Sequence, residues 1–97
     1  MRPLVFSRAA REELLLAARH YEEEKEGLGN KFLAAVQVLV ERLLDYPESG
    51  PIIFRDVRRA GVRRFRYDIV YRIRPDALIV VAVAHQSRKP GYWKNRL

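Results

Sequence analysis

The residues best suited to chemistry lie together near the end of the chain, where His85 is followed by Arg88, Tyr92 and Trp93. A histidine can transfer protons near neutral pH. A neighbouring arginine can stabilise the charge that develops on a phosphorane, and an aromatic ring can stack on a base. These residue types would suit the cleavage of RNA through the ribose 2′-hydroxyl.

The same segment also has a structural interpretation. His85 could cap the end of a strand through hydrogen bonds to the backbone, and the sequence does not decide between this role and proton transfer. Trp93 could fold back over an exposed sheet face as a lid, and this structural role is the one that we prefer for Trp93.

A second candidate site is a row of arginines between Val62 and Arg74, where residue types alternate. Residues two positions apart in a strand share a face and lie about 7 Å from each other, close to the phosphate spacing of an extended nucleic acid. One face would carry Arg64, Arg66, Asp68, Val70, Arg72 and Arg74, and the other Phe65, Tyr67, Ile69, Tyr71 and Ile73. We predict a phosphate track or a dock for an acidic protein here, rather than the solvated face of an ordinary antiparallel sheet.

The basic residues are concentrated in the second half of the chain. Residues 51–97 hold 12 lysines and arginines against 3 acidic residues, whereas residues 1–50 hold 7 against 9. The two halves therefore carry net charges of +9 and −2, which together give the +7 of the whole chain. Arginine predominates, which favours bidentate or stacking contacts with a polyanion or an acidic partner. Arg58 and Arg59 either extend this basic patch or discourage aggregation at a strand edge.

The composition limits the classes of protein to consider. The 97 residues fit one domain, residues 1–97, and 48% of them are hydrophobic, which is enough for one modest core. Without cysteine and with only two histidines, the chain offers no metal site, and we expect no cofactor. No apolar run approaches the roughly 20 residues that span a bilayer, and no signal peptide is apparent, so we expect a soluble, cytoplasmic protein with no membrane partner.

The periodicities predict an α+β fold. Arg2–Phe6 has the pattern of a strand, Ser7 that of an N-cap, and residues from Arg8 to the acidic run at Glu22–Glu26 that of a helix, with the run itself expected to be solvated. A second helical pattern runs from Phe32 to Leu44 and ends before Pro47, so the two helices should form an antiparallel hairpin. Strands are then predicted over residues 52–59, 62–74 and 78–84, the last of them apolar on both faces and therefore central. The helical hairpin should pack on one face of a small antiparallel sheet.

The order of these motifs resembles the RelE/ParE family of bacterial toxins, which are the toxin halves of type II toxin–antitoxin pairs. The resemblance covers nearly the whole chain. It rests on Ser7, Ala10, Glu13 and Leu14, on Phe32, Leu43, Pro47 and Gly50, on Val57-Arg58-Arg59, on Arg64-Phe65, on Tyr67-x-Ile69-Val70-Tyr71, and on His85-x-x-Arg88-x-Pro90-x-Tyr92-Trp93. It implies a RelE/ParE-like fold.

The resemblance implies two alternative activities and leaves open whether the protein is an enzyme. The His–Arg–Pro–Trp tail and the scarcity of lysine resemble ParE, a plasmid-stabilisation toxin that inhibits growth by binding and poisoning DNA gyrase. The target-binding residues would then be Arg58, Arg59, Arg64, Arg66, Arg88 and Trp93. The alternative is a RelE-like, ribosome-dependent mRNA endonuclease. In it Arg64 and Arg88 would stabilise the transition state, and His85 or Tyr92 would move protons.

The resemblance also implies an antitoxin partner. Such partners usually wrap the toxin with a disordered segment that folds on binding and covers part of the helical hairpin and of the sheet. Acidic residues of the antitoxin would neutralise the basic half of this chain, which explains the uneven charge without any enzymatic role. A third hypothesis is a degenerate family member that binds only its antitoxin. The sequence leaves open a homodimer or a heterotetramer with the antitoxin.

Overall fold

Two helices and five strands make up the fold in a computed structural model that describes residues 2–97. In chain order these elements are β1 (Leu4–Phe6), α1 (Arg8–Glu24), α2 (Leu28–Asp45), β2 (Ile52–Phe54), β3 (Val57–Gly61), β4 (Tyr67–Ile73) and β5 (Leu78–His85). A short 3-10 helix, Lys94–Arg96, follows near the C-terminus. None of the helices in the described range is long and apolar enough to cross a membrane.

Side-chain oxygens accept hydrogen bonds from backbone amides at the start of both helices. The Ser7 hydroxyl accepts a hydrogen bond from the Ala10 amide at 3.1 Å, which confirms the predicted N-cap of α1. The Glu22 carboxylate accepts hydrogen bonds from the amides of Gly27 and Gly29 at 2.9 and 3.0 Å. Glu22 thereby satisfies two free amides at the start of α2, so this residue of the acidic run has a capping role that the sequence did not reveal.

Helix α2 begins at Leu28, earlier than its apolar pattern indicates, and Gly29 in its first turn lies against α1. A Cβ atom at this position would lie 2.6 Å from the carbonyl oxygen of Ala18 in α1. Gly29 is therefore required by packing, although glycine disfavours a helix interior. The link between the helices consists of residues 25–27 only, and Gly27 in it adopts a φ of 86°.

The sheet has the strand order β1-β5-β4-β3-β2. Strands β2 to β5 pair in antiparallel fashion, as predicted. Strand β1 pairs in parallel with β5, with Leu4 opposite Leu78, so the complete sheet is mixed. Since β5 has a neighbour on each side and buried residues on both faces, its predicted central position is confirmed.

The segment from Val62 to Arg74 is not one strand, and the prediction of an arginine row along it was wrong. Strand β4 begins only at Tyr67. Before it the chain makes a tight turn, in which the Phe65 amide donates to the Val62 carbonyl at 3.0 Å and Arg64 adopts a φ of 72°. Arg64 and Arg66 therefore lie outside the strand. The predicted region 52–59 likewise divides into the two strands β2 and β3.

The core lies mainly between the helical hairpin and one face of the sheet. Phe32 and Leu43 of α2 pack there with Ile69 and Tyr71 of β4, all fully buried. The Tyr71 hydroxyl donates to the Pro47 carbonyl at 2.7 Å and accepts from the Gly50 amide at 3.2 Å. This pair of bonds ties the loop after α2 to the sheet and fixes where β2 begins.

Candidate functional site

The face of the sheet that the helices do not cover is closed by the C-terminal segment. Trp93 is only 5% exposed and packs in a second apolar cluster with Val57, Val70, Val81 and Ala82. Its ring centroid lies 6.2 Å from that of Phe54 in β2. Trp93 therefore has the predicted role of a lid. As a target-binding candidate it lies beneath the surface in this conformation, so it can support a working surface but not contact a target directly.

A single carboxylate on α1 holds this segment in place. Glu13 accepts a hydrogen bond from the Tyr92 hydroxyl at 2.6 Å, two from the Arg96 guanidinium at 2.8 and 3.1 Å, and one from the Val83 amide at 3.1 Å. A guanidinium nitrogen of Arg88 lies 3.6 Å from the same carboxylate. We call Glu13, Arg88, Tyr92 and Arg96 the Glu13 cluster. It joins α1, β5 and the C-terminal segment.

The phenol ring of Tyr92 is the second organising group of the Glu13 cluster. The guanidinium carbon of Arg88 lies 3.9 Å from the ring centroid, and that of Arg96 lies 5.1 Å from it. Such cation–π contacts add to the charge pairing with Glu13. Arg88 and Arg96 are therefore held on the ring and against the carboxylate at the same time.

The electrostatics of the cluster fix its protonation states. Partial burial raises the pKa of Glu13, but hydrogen bonds from Arg96, Tyr92 and the Val83 amide outweigh it, and the net result is a lowered pKa. Burial and the hydrogen bond to Glu13 raise the pKa of the Tyr92 hydroxyl. At neutral pH, Glu13 is a carboxylate and Tyr92 a bound hydroxyl donor, which makes Tyr92 a poor general base.

His85 lies at the end of β5 with one ring nitrogen already engaged. Its Nδ1 accepts a hydrogen bond from the Ser87 amide at 3.0 Å and lies 2.7 Å from the Ser87 hydroxyl. The Tyr67 ring packs edge-on against the imidazole, with centroids 5.0 Å apart. This arrangement fits a cap at the end of the strand, which is one of the two roles that the sequence allowed for His85. The other ring nitrogen, Nε2, has no hydrogen bond within the described residues.

The structure brings together only some of the candidate catalytic residues. His85, Arg88 and Tyr92 line one cavity of about 240 Å³ beside the lid, together with Arg59 and Lys89. Arg64 does not border this cavity, because the turn before β4 places it in a separate groove beside α2. Within residues 2–97 no three acidic or histidine side chains are grouped closely enough to hold a metal ion.

Several other arginines are engaged with nearby groups of the fold. Arg58 donates to the carbonyls of Glu48 and Gly50 at 3.0 and 2.8 Å, so this target-binding candidate braces the loop after α2. Arg59 lies 3.9 Å from Asp68. Both Arg72 and Arg74 bind Asp56, at 2.9 and 3.1 Å.

Three arginines without a carboxylate partner among residues 2–97 lie together just before β4. Arg63, Arg64 and Arg66 are all exposed, and in the described part of the chain no carboxylate oxygen lies within 4.0 Å of their side-chain nitrogens. Lys89, at the edge of the cavity, has the same property. The exposed basic residues therefore lie on the turn before β4 and at the edge of the cavity, whereas the sequence predicted them along one face of a strand.

The sequence analysis named Glu13 only as part of the family motif and did not predict its role in holding the C-terminal segment. The signal was a carboxylate directly beside the apolar stripe of α1, at the position before Leu14 and three residues after the buried Ala10. A charged group so placed usually has a partner. That partner is 79 residues away along the chain, in a segment with no strong periodicity of its own.

We predict that Glu13→Gln lowers the free energy of unfolding by about 1–3 kcal/mol at pH 7, because the two arginines and Tyr92 lose their common charged acceptor. Urea unfolding followed by the fluorescence of Trp93 measures this difference. Glu12→Gln on the exposed side of the same helix is the matched control and should change stability by less than about 0.5 kcal/mol.

The same comparison has a defined pH dependence. A carboxyl group whose pKa is lower in the folded state contributes stability above its unfolded pKa and loses it as the pH falls through the folded pKa. The difference between the wild type and Glu13→Gln should therefore be full at pH 7 and shrink below a pH of about 4. A difference that is constant from pH 7 to pH 3 would contradict the assignment of Glu13 as an ionised hub.

Comparisons with known proteins agree on the type of fold. The family model described as ParE toxin of type II toxin–antitoxin system, parDE, matches residues 4–90. A solved structure of the chromosomal ParDE TA system from P. aeruginosa superposes with a TM-score of 0.64 and 21% sequence identity, covering 88% of this chain and 96% of that one. At this identity the superposition supports the fold alone. No curated protein gives a significant match.

Proposed function

Because this chain belongs to the ParE family of toxins from type II toxin–antitoxin systems, we propose that it inhibits growth by binding DNA gyrase and poisoning it, without catalysing a reaction of its own. The observation that supports binding over catalysis is the Glu13 cluster. Two of the candidate catalytic residues, Arg88 and Tyr92, are already engaged there with a carboxylate.

The proposed target-binding surface follows from which arginines are accessible. Arg64 and Arg66 are exposed and have no carboxylate partner among residues 2–97. The side chains of Arg59 and Arg88 are 57% and 55% exposed despite their loose ion pairs. Guanidinium groups bind carboxylates and phosphates in bidentate fashion, so this surface suits an acidic protein face or the DNA that gyrase holds.

The two remaining target-binding candidates have a supporting role in this proposal. Arg58 fixes the loop after α2 beneath the surface, and Trp93 fixes the C-terminal segment that carries the Glu13 cluster. Replacing either should weaken binding indirectly, through loss of stability. A gyrase target also means that the protein acts in the cytoplasm.

The family implies a cognate antitoxin as the second partner. The uncompensated positive charge next to β4 suits the acidic, folding-on-binding segment that such antitoxins use. Neutralising this charge would mask the same arginines that we assign to the target, which gives a simple physical basis for inhibition of the toxin.

Supercoiling of relaxed plasmid by gyrase tests the proposal. Purified protein without antitoxin should inhibit supercoiling and trap cleaved DNA. The double variant Arg64→Asn/Arg66→Ala should need about tenfold more protein for half-inhibition, with a weaker dependence on salt, because two exposed charges are lost. Asparagine is chosen at position 64 because it tolerates the left-handed backbone there.

The matched control is Arg19→Ala in α1, in the acidic half of the chain. Arg19 is also exposed, and it has no ion pair within the described residues 2–97. It should leave the inhibition unchanged within about twofold. Full supercoiling at a large excess of the wild-type protein would refute the gyrase assignment.

A RelE-like mRNA endonuclease is the second candidate function, favoured by one observation: His85, Arg88 and Tyr92 share a cavity. The variant His85→Asn separates the two candidates, because asparagine keeps an acceptor for the Ser87 amide but cannot transfer a proton. A nuclease should lose about a hundredfold or more in the cleavage of ribosome-bound mRNA.

Under the gyrase proposal we expect no mRNA cleavage by the wild type and unchanged inhibition of supercoiling by His85→Asn. Cleavage by the wild type that His85→Asn abolishes would establish the nuclease instead. If the wild type has neither activity but still binds the antitoxin, the third hypothesis applies, that of a family member that retains only its antitoxin contact.

A further inference from the structure

The cavity of about 240 Å³ beside the lid is bordered by cations that come from three different parts of the chain. Arg59 belongs to β3, Arg88 and Lys89 follow the end of β5, and Lys94 begins the 3-10 helix. His85 borders the same space. We call this feature the lid cavity. Its cations converge on one small volume, which sets them apart from the arginines of the turn before β4.

The positive charge of the lid cavity is not neutralised within the fold. Lys89 and Lys94 are exposed, and among residues 2–97 no carboxylate oxygen lies within 4.0 Å of their side-chain nitrogens. The side chains of Arg59 and Arg88 are more than half exposed, and their ion pairs are long, at 3.9 and 3.6 Å. Asp68 is the one acidic residue in the described wall. Four cations against one carboxylate produce a positive field that attracts an anion.

Two of the cations are held in place before any ligand arrives. The ammonium group of Lys94 lies 4.2 Å from the ring centroid of Phe54. A Cβ atom at Gly91 would lie 2.7 Å from the Cε atom of Lys94, so glycine at this position leaves room for the lysine side chain. The guanidinium carbon of Arg88 lies 3.9 Å from the ring centroid of Tyr92. Because these groups are already ordered, less conformational entropy is lost when a ligand binds.

His85 contributes a hydrogen-bond donor to the same cavity. The Ser87 amide can only donate, so its bond to Nδ1 makes that nitrogen the acceptor and places the proton of the neutral imidazole on Nε2. Nε2 then offers an N–H group, which suits an anion. In this tautomer neither ring nitrogen has a free lone pair, so His85 is better suited to binding than to removing a proton.

We propose that the lid cavity binds a terminal phosphate group, carried by a free nucleotide or by the 5′ end of a nucleic-acid strand. A terminal phosphate has up to two negative charges and three acceptor oxygens, which matches several cations arriving from different directions. A carboxylate, by contrast, is satisfied by a single guanidinium group. The volume is below the roughly 300–1,000 Å³ of pockets that enclose drug-sized ligands, so the cavity encloses the phosphate and not a whole nucleotide.

The aromatic rings around the cavity favour binding that does not depend on the base. Trp93 is only 5% exposed. The Tyr92 ring is in contact with guanidinium groups of the Glu13 cluster, and the Phe54 ring is in contact with the ammonium group of Lys94. A base that stacked on either ring would have to displace these cations. The phosphate therefore supplies most of the affinity, whereas an mRNA endonuclease of the RelE type would also have to hold a base.

NMR titration of the isotope-labelled full chain at constant ionic strength tests the proposal. The probes are inorganic phosphate, glycerol phosphate, AMP and CMP. Each should cause saturable shifts of amide signals in residues 85–94. The affinities of glycerol phosphate, AMP and CMP should agree within about threefold, because the base contributes little. Adenosine, which lacks the phosphate, should cause no saturable shifts.

Matched lysine variants connect the binding to the wall of the cavity. Lys89→Gln and Lys94→Gln each remove one cation and should weaken AMP binding about threefold, and the double variant about tenfold. Lys31→Gln is the control, because Lys31 on α2 is also exposed, lies outside the cavity and has no carboxylate within 4.0 Å among residues 2–97. It should change the affinity by less than about twofold.

A dinucleotide with a 5′-phosphate distinguishes the two sources of the group. An affinity close to that of AMP assigns the site to strand ends as well as to free nucleotides, and a much weaker affinity restricts it to free nucleotides.

Three results would overturn the proposal: no saturable shifts with AMP, binding of adenosine as tight as that of AMP, or equal effects of Lys94→Gln and Lys31→Gln. The proposal does not require gyrase as the target, and none of these measurements includes gyrase. Failure of phosphate binding is therefore distinct from failure of the supercoiling assay.

Discussion

The C-terminal half of the site depends on one carboxylate. Glu13 gathers a phenol hydroxyl, a backbone amide and two guanidinium groups, and through them it attaches the C-terminal segment to α1 and β5. Without this attachment Trp93 would have no fixed position, and the apolar face formed by Val57, Val70 and Val81 would be open to water. The hydrogen bonds from these donors offset the free-energy cost of removing the carboxylate from water. Without its partners, the same partly buried charge would strongly destabilise the fold.

The pairing of charges inside the fold decides which arginines remain for other molecules. Asp56 binds Arg72 and Arg74, Glu13 binds Arg96 closely, and Arg58 is used by backbone carbonyls, whereas Arg88 makes a longer contact with Glu13 and stays 55% exposed. The residual positive charge is thus concentrated on the turn before β4 and along the edge of the lid. A net charge of +9 in the second half of the chain is therefore not a uniform basic face but a small set of exposed cations at defined positions.

Much of the fold could be predicted because its determinants are local. The cap at Ser7, the helical hairpin and the doubly buried strand β5 each follow from a short pattern. The turn at 62–66 was missed because arginine and phenylalanine alternate there as they would in a strand, and no glycine or asparagine signals the left-handed conformation of Arg64. The parallel pairing of β1 and the role of Glu13 depend on contacts between distant parts of the chain, which no local pattern encodes.

The proposal that depends most directly on this distribution of charge is that the exposed cations form the surface that binds gyrase. Hydrogen exchange of the toxin bound to gyrase and DNA tests it most directly, because it reports where the target lies on the chain. The account predicts slower exchange at residues 62–66 and at the lid edge around Lys89, with the outer face of α1 unchanged. The absence of a complex at saturating gyrase, or protection confined to α1, would contradict it.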